Sequence, residues 1–264
     1  MKWLLLRKQE SIIVNKQIRR LILAISFMTI IPVTKNHKFN EEDLAFSTLY
    51  FPFVGFLLGM LSWAIFLILY PYLSLSVTIF LILAFLTFIT GALHEDGLAD
   101  AFDGFGGGYT KARIFEIMKD SRIGTFGSLG LIFLILGKYI FLTEINSDLI
   151  PKTIMVALVL SRWSPLPLFK FLKYPEKATG TGKAFISNIT MISYWSLILS
   201  TIFAFGIVFW FFRFQSIYLI GATILLTFFG YLFFKKKINA ITGDCGGAIL
   251  SLSELLIYFI VMIL

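Results

Sequence analysis

The residues best suited to chemistry lie in one stretch, GALHEDGLADAFDGFGGGYTKARIFEIMKDSRIGTFG at positions 91–127, which holds six of the chain's 15 acidic residues and one of its two histidines. If Leu93 to Asp103 is helical, about 100° per residue puts Asp100 about 40° and Asp103 about 20° from Asp96, in opposite senses. Three carboxylates then share one face. Like charges at that spacing repel by about a few tenths of a kcal/mol per pair on an exposed helix, and by more where water is scarce, so the arrangement calls for a counter-charge. Mg²⁺ suits it: it takes oxygen ligands, is commonly held by one or two carboxylates, and completes its shell with water and substrate phosphates. Asp96, Asp100 and Asp103 are therefore the candidate metal-binding and catalytic residues, with Asp244 in the loop ITGDCGG as a further metal ligand.

The neighbouring residues extend that chemistry towards a diphosphate. Lys119 and Arg122, just before Gly124, place two cations where they would meet phosphate oxygens at the mouth of an acidic site. Gly97, Gly104 and Gly106 to Gly108 would let backbone approach a bulky phosphate, or simply punctuate a loop. The segment 110–121 reads as a short amphipathic helix on which Arg113, Glu116 and Asp120 form a charge network. His94 is a candidate general base. Lys138, Arg162 and Glu254 fall within apolar segments, where charges face a polar cavity or one another. We place Gly97, Gly104, Arg113, Asp120, Gly124, Lys138, Arg162 and Glu254 on the substrate-binding side of the site. TGTGK at 179–183 lacks phosphate-loop spacing and no strand precedes it. There is no cysteine–histidine zinc spacing and no serine triad.

The elements that must carry these residues are membrane helices. The chain is 58% apolar with 30 Phe and only 14% charged residues, a composition that leaves no tract for a separate soluble core. One polytopic all-α domain, 1–264, is expected. It begins with an interfacial, amphipathic segment over 1–33 and continues with about seven spans, near 49–70, 72–90, 124–142, 150–169, 191–212, 217–234 and 248–264. The active-site loop and helices occupy 91–123. Alternation puts all Lys and Arg except Lys138, Lys152, Arg162 and Arg213 on one side, which the positive-inside rule makes cytoplasmic. The net charge of +8 is spread over loops and fits topology and anionic headgroups, not nucleic acid. The single Cys245 excludes an internal disulfide, and no secretory signal or internal repeat is visible.

From chemistry alone, metal-assisted displacement at a diphosphate fits two enzyme classes, CDP-alcohol phosphotransferases and membrane prenyltransferases, with a cation-coupled transporter as the non-enzymatic rival. Asp100, Asp103 and Gly104 match the opening of the phosphotransferase motif, but Gly107 and Gly108 replace its Ala-Arg pair. HEDGLADAFDG at 94–104, EIMKDSRIGTFG at 116–127 and TGDCGGAILSLSEL at 242–255, together with Pro52, Gly55, Lys138, Ser161 and Arg162, resemble the cobalamin synthase family, the adenosylcobinamide-GDP ribazoletransferases. Two positions depart from the pattern: Glu95 stands where an apolar residue is expected, and Gly246 where Leu is.

The resemblance implies a Mg²⁺-dependent enzyme of the cytoplasmic membrane. In it, a ribose hydroxyl of α-ribazole, or of its 5′-phosphate, attacks the cobinamide-side phosphorus of adenosylcobinamide-GDP and GMP leaves. On this chain it implies that Asp96, Asp100 and Asp103 hold Mg²⁺ on the diphosphate, and that Lys119 and Arg122 stabilise the departing GMP. Asp120 or Asp244 completes the metal shell, and His94 or a carboxylate takes the hydroxyl proton. The expected partners are the two small-molecule substrates and the lipid bilayer, without nucleic acid, and a homo-oligomer is left open.

Overall fold

A computed structural model of the chain describes residues 16–32, 40–175, 182–186 and 192–264. Trp3 and the first basic residues, the whole of 34–39 and the first part of TGTGK lie outside the described residues. The regular structure consists of helices, with no strand among the described residues. In order they are α1 (16–28), α2 (Glu41–Ser47), a 3₁₀ turn, α3 (Phe51–Leu69), α4 (Leu75–Ile89), α5 (Leu93–Gly107), α6 (Lys111–Met118), α7 (Thr125–Glu144), α8 (Ile150–Trp163), α9 (Pro165–Phe171), α10 (Gly182–Ile186), α11 (Tyr194–Phe212), α12 (Ser216–Lys237) and α13 (Gly243–Ile263).

The centre is α8, buried from Thr153 to Trp163 and packed against α3, α13 and α11. Glycines make the closest of these contacts. A Cβ on Gly55 would lie 2.2 Å from the Leu158 carbonyl oxygen, and one on Gly59 2.8 Å from the Met155 Cα. The α3 and α8 backbones therefore touch, as small residues allow between helices in lipid, where apolar side chains gain little by leaving the acyl chains. The outer faces carry Leu67, Phe88, Phe133, Trp195, Trp210 and Phe229, each more than half exposed. An apolar surface of that extent needs lipid around it, and the architecture is that of an all-α, multi-pass membrane protein.

Among the described residues, length and apolarity give five stretches able to cross a bilayer, or six with one bent pair, where the sequence suggested about seven. Two local facts account for the difference. The span expected at 72–90 is the 15-residue α4, which qualifies only with α5, from which it is bent by 82°. The stretch Tyr194–Lys237 counts once, but it breaks at Arg213, whose φ is 48°. As one rod its 44 residues would run about 66 Å, twice a hydrocarbon core; instead α11 and α12 pack on each other.

The N-terminal expectation also changes. The basic residues of α1 do not simply face an interface: Lys16 pairs with Glu42 at 2.9 Å, Arg20 with the fully buried Asp43 at 3.0 Å, and Arg19 with Asp43 as well. These pairs pin α1 to α2, whose N-terminus Asn40 caps by accepting from the Asp43 N–H at 2.8 Å. Leu23, Ala24 and Met28 of α1 are thereby buried in the bundle.

Candidate active site

The sharp bend that begins α5 is built by two residues. Gly91 and Ala92 have φ of 62° and 53°, the Gly91 N–H donates to the Phe88 carbonyl and the Ala92 N–H to that of Thr87. This paired closure satisfies the last carbonyls of α4 and turns the chain at once into a new helix. Helix α5 begins with Glu95 and Asp96 in its first turn. Acidic side chains are favoured there by the unpaired N–H groups and the positive end of the helix dipole.

A second helix N-terminus meets the first. Helix α13 starts five residues earlier than the sequence suggested, because Thr242 caps it by accepting from the Cys245 N–H at 3.2 Å. Asp244 is therefore a first-turn residue and not a loop residue. The two helices cross on glycines: a Cβ on Gly97 would lie 3.1 Å from the Asp244 Cα and 3.4 Å from the Gly247 Cα, and one on Gly247 3.3 Å from the His94 carbonyl oxygen. This contact brings Asp244 to Asp96 and Asp100 from 144 residues away. The charges acting on Asp100 are those of Asp96, Asp244 and Asp103, and all are negative.

Asp103 faces elsewhere. Its carboxylate accepts from the Gly124 N–H at 2.6 Å and the Gly127 N–H at 2.8 Å, so it caps α7. A Cβ on Gly124 would sit 2.5 Å from one Asp103 oxygen and one on Gly127 2.4 Å from the other. Gly124 and Gly127 thus make room for a carboxylate of their own chain. Gly97 serves the α13 crossing and Gly104 seats Met118 of α6, 2.6 Å from where a Cβ would be. Glycines expected to admit phosphate instead admit neighbouring helices.

Between α1, α3, α5, α9, α10 and α13 lies a cavity of about 170 Å³, open to solvent at one side. Asp96, Gly97, Asp244 and Gly247 form its polar side; Phe27, Phe51, Phe169 and Phe185 stand in its walls. Tyr174, which no sequence signal singled out, borders it beside Asp244. The segment 173–175 is carried there by the Ile241 N–H donating to the Lys173 carbonyl at 3.0 Å, a contact with no local trace in the sequence. Burial, then Asp244 and Cys245, hold the Tyr174 hydroxyl above its ordinary pKa, so it remains a hydrogen-bond donor at neutral pH.

Lys138, Arg162 and Glu254 are brought together, but with one another. Glu254 receives Lys138 at 3.1 Å, Arg162 at 3.0 Å and the Tyr258 hydroxyl at 3.2 Å, all in the interior. Glu95 completes the set, 3.5 Å from Lys138. The apparent departure at Glu95 is thus a second carboxylate balancing two buried cations. His94 lies between this cluster and the cavity. Its carbonyl accepts from Ser251 Oγ at 3.1 Å, and its Nε2 is buried without a hydrogen-bond partner among the described residues.

The model of the cobalamin-5-phosphate synthase family matches residues 20–262. The chain belongs to that family. A Pseudoalteromonas atlantica protein named adenosylcobinamide-GDP ribazoletransferase is 36% identical over 253 residues, 94% of this chain and 93% of the relative. Proteins of the same name from Vibrio cholerae and Clostridium botulinum are 34% and 38% identical over 95% and 92% of this chain, and over 95% and 97% of their own lengths. No solved structure matches the chain.

Within that family frame, the cations of the α6 segment are not brought to the cavity. Lys119 and Arg122 are exposed and neither borders it. Arg122 binds Asp120 at 2.7 Å, and its hydrogen bonds hold the Asp120 carboxyl down at about 2. Arg113 pairs with Glu116 at 2.9 Å on the same surface. The reason is local: α6 ends at Met118, and the short link to Thr125 pairs its charges within itself.

The donor set can be tested against Mg²⁺. Among the described residues no three of His, Cys, Asp or Glu are gathered closely enough to hold an ion by themselves. With Asp103 engaged by α7, three carboxylates remain, Asp96, Asp100 and Asp244, with no cation among the charges acting on Asp100. Hard oxygen donors in an open arrangement fit a metal that takes one or two carboxylates and leaves its other positions to water and phosphate. They do not fit a closed cage.

Proposed function

We propose that this chain performs the transfer for which its relatives are named, joining adenosylcobinamide-GDP to α-ribazole or its 5′-phosphate with release of GMP, at the α5–α13 crossing. The observation that supports this reading is that Asp96 and Asp244, in the first turns of α5 and α13, border one cavity, with Asp100 one turn further along α5 and under the charge of both. Asp96, Asp100 and Asp244 would hold Mg²⁺ there. When bound, the ion would offset charge on the diphosphate as the leaving group departs.

The chain's own residues supply the remainder. The first-turn N–H groups of α5 and α13 present positive dipole ends to phosphate oxygens. Tyr174 offers a hydroxyl donor next to Asp244. The ribose hydroxyl oxygen forms the new bond to the cobinamide-side phosphorus, the bond from that phosphorus to the bridging oxygen breaks, and GMP takes the bridging oxygen away. The hydroxyl proton goes to a group bordering the cavity, His94 or a carboxylate. Asp103 acts at one remove by fixing α7 against α5. The distribution of Lys and Arg supports a cytoplasmic membrane location with the site facing the cytoplasm.

Purified protein given adenosylcobinamide-GDP, α-ribazole and Mg²⁺ should release GMP and form the joined cobamide in equal amounts. Chelation should stop both, and restored Mg²⁺ should return both. GMP release stimulated by an isoprenoid diphosphate, or substrate flux across sealed vesicles without covalent product, would contradict the assignment.

A further inference from the structure

The aromatic walls of the cavity have no part in the chemistry above. Phe27 from α1 stacks on Phe51 of α3, with ring centroids 5.6 Å apart and planes 10° from parallel, and Phe185 of α10 lies 4.1 Å from Phe27. Phe169 of α9 closes another side over Gly246, where a Cβ would meet its ring at 2.5 Å. The four rings come from four helices that are distant in sequence, and all border the same void as Asp96 and Asp244. Between them stand Met28, Leu93, Pro165 and Leu250. The cavity thus carries Asp96, Asp244, His94 and Tyr174 as its polar groups, and aromatic and aliphatic side chains make up the rest of its wall.

Resting on the assignment just made, we propose that this cavity is the acceptor subsite: it takes the planar base of the ribazole nucleoside between phenylalanine rings and leaves the ribose at the Asp96–Asp244 edge. Size comes first. A void of about 170 Å³, open to solvent at one side, admits one planar bicyclic ring system. A corrinoid bearing adenosyl and GDP arms is several times larger and has to remain outside the mouth. Chemistry decides between the two bases present in the reaction. Guanine carries carbonyl, amino and ring N–H groups along its edges, and with Asp96 and Asp244 given to the metal and diphosphate, burying these among Phe, Leu and Pro leaves most of them without partners at a cost. Dimethylbenzimidazole offers a fused ring and two methyl groups, with a single ring nitrogen to satisfy. Stacking on aromatic side chains supplies binding to such a ring without needing a polar edge.

The test uses the full-length protein in detergent and two conservative variants, Phe27→Leu and Phe185→Leu, which keep an apolar side chain but remove a ring face. Each should raise KM for α-ribazole about tenfold, the scale of one stacking contact, with KM for adenosylcobinamide-GDP within about twofold of the parent. The parent should also prefer α-ribazole to a ribonucleoside with a polar-edged base, adenosine, by more than about tenfold in kcat/KM, and the preference should narrow in both variants. A raised KM for the GDP-bearing donor with an unchanged acceptor KM would place guanine in the cavity and overturn the proposal, as would unchanged values for both substrates. Absence of any GMP release by the parent would fail the functional assignment itself, a result distinct from either.

Discussion

Replacing Asp100 by Asn is expected to lower GMP release by about a thousandfold while leaving the protein folded and membrane-inserted. Asp100 is half-buried, and the charges acting on it are three other carboxylates. Nothing in its surroundings depends on its negative charge for stability. Removing that charge relieves repulsion, so the melting temperature in detergent should hold or rise slightly. Catalysis should suffer because charge stabilisation by a bound divalent ion is worth several kcal/mol, and about 1.4 kcal/mol is a factor of ten. Asp103→Asn should behave in the opposite manner. It keeps an acceptor oxygen for one of the Gly124 and Gly127 N–H groups but turns an amide N–H₂ on the other, weakens the cap of α7 at a cost of about 1–2 kcal/mol, and lowers the melting temperature first. Activity measured beside thermal unfolding distinguishes the two. Unimpaired turnover in Asp100→Asn would remove that residue from the site.

Glu254→Gln should be the most destabilising single change in the interior. Glu254 on α13 is the shared partner of Lys138 on α7 and Arg162 on α8. Its neutralisation leaves Arg162 without a carboxylate and Lys138 with only Glu95 at 3.5 Å. Breaking a buried pair in this way costs about 3–5 kcal/mol, a large part of the roughly 5–15 kcal/mol that holds a domain together. A clear fall in melting temperature and poor recovery from the membrane are expected. The combination Glu254→Leu, Lys138→Met, Arg162→Leu and Glu95→Leu removes all four charges and should recover stability, because apolar residues of similar volume replace such clusters at little cost. A Glu254→Gln protein as stable as the parent would show that the cluster does not hold α7, α8 and α13 together.

The helical acidic face could be read from spacing, and α5 is indeed a helix through Asp96, Asp100 and Asp103. Angle alone misled. Asp103 lies on the same face as Asp96, but two turns further along, about 10 Å at 1.5 Å per residue. That distance carries it past the α5–α13 crossing to the start of α7. Gly124 and Gly127 are what admit it there, and their role shows only once α7 is packed on α5. Asp244 stands out in the sequence as the head of a polar stripe that runs through Gly247, Ser251 and Glu254 on the last helix. Its route to the site, the Gly97–Gly247 contact, joins residues 150 positions apart and leaves no periodic signal. The intramembrane charges Lys138, Arg162 and Glu254 were conspicuous as charges, yet their mutual pairing depends on three helix rotations. Glu95 completes that pairing from the first turn of α5, where an apolar residue was expected.

Span boundaries blur for a related reason. The apolar run over 72–90 and the polar run after it look separate in sequence. In the fold, Gly91 and Ala92 turn α4 directly into α5, so one bent pair holds both the last of the apolar run and the acidic site. Lys119 and Arg122 show the limit of proximity in sequence: they sit within 20 residues of Asp103, yet α6 ends at Met118 and leaves both in solvent.

The most direct test of the central claim is a structure of the protein with adenosylcobinamide-GDP and Mg²⁺. The account predicts an ion bridging the diphosphate and at least one of Asp100 and Asp244, at about 2.0–2.1 Å from each ligating oxygen, with Asp103 still accepting from the Gly124 and Gly127 amides. A diphosphate bound away from the α5–α13 crossing, or an ion held by Asp103 with Asp100 and Asp244 both unengaged, would contradict it.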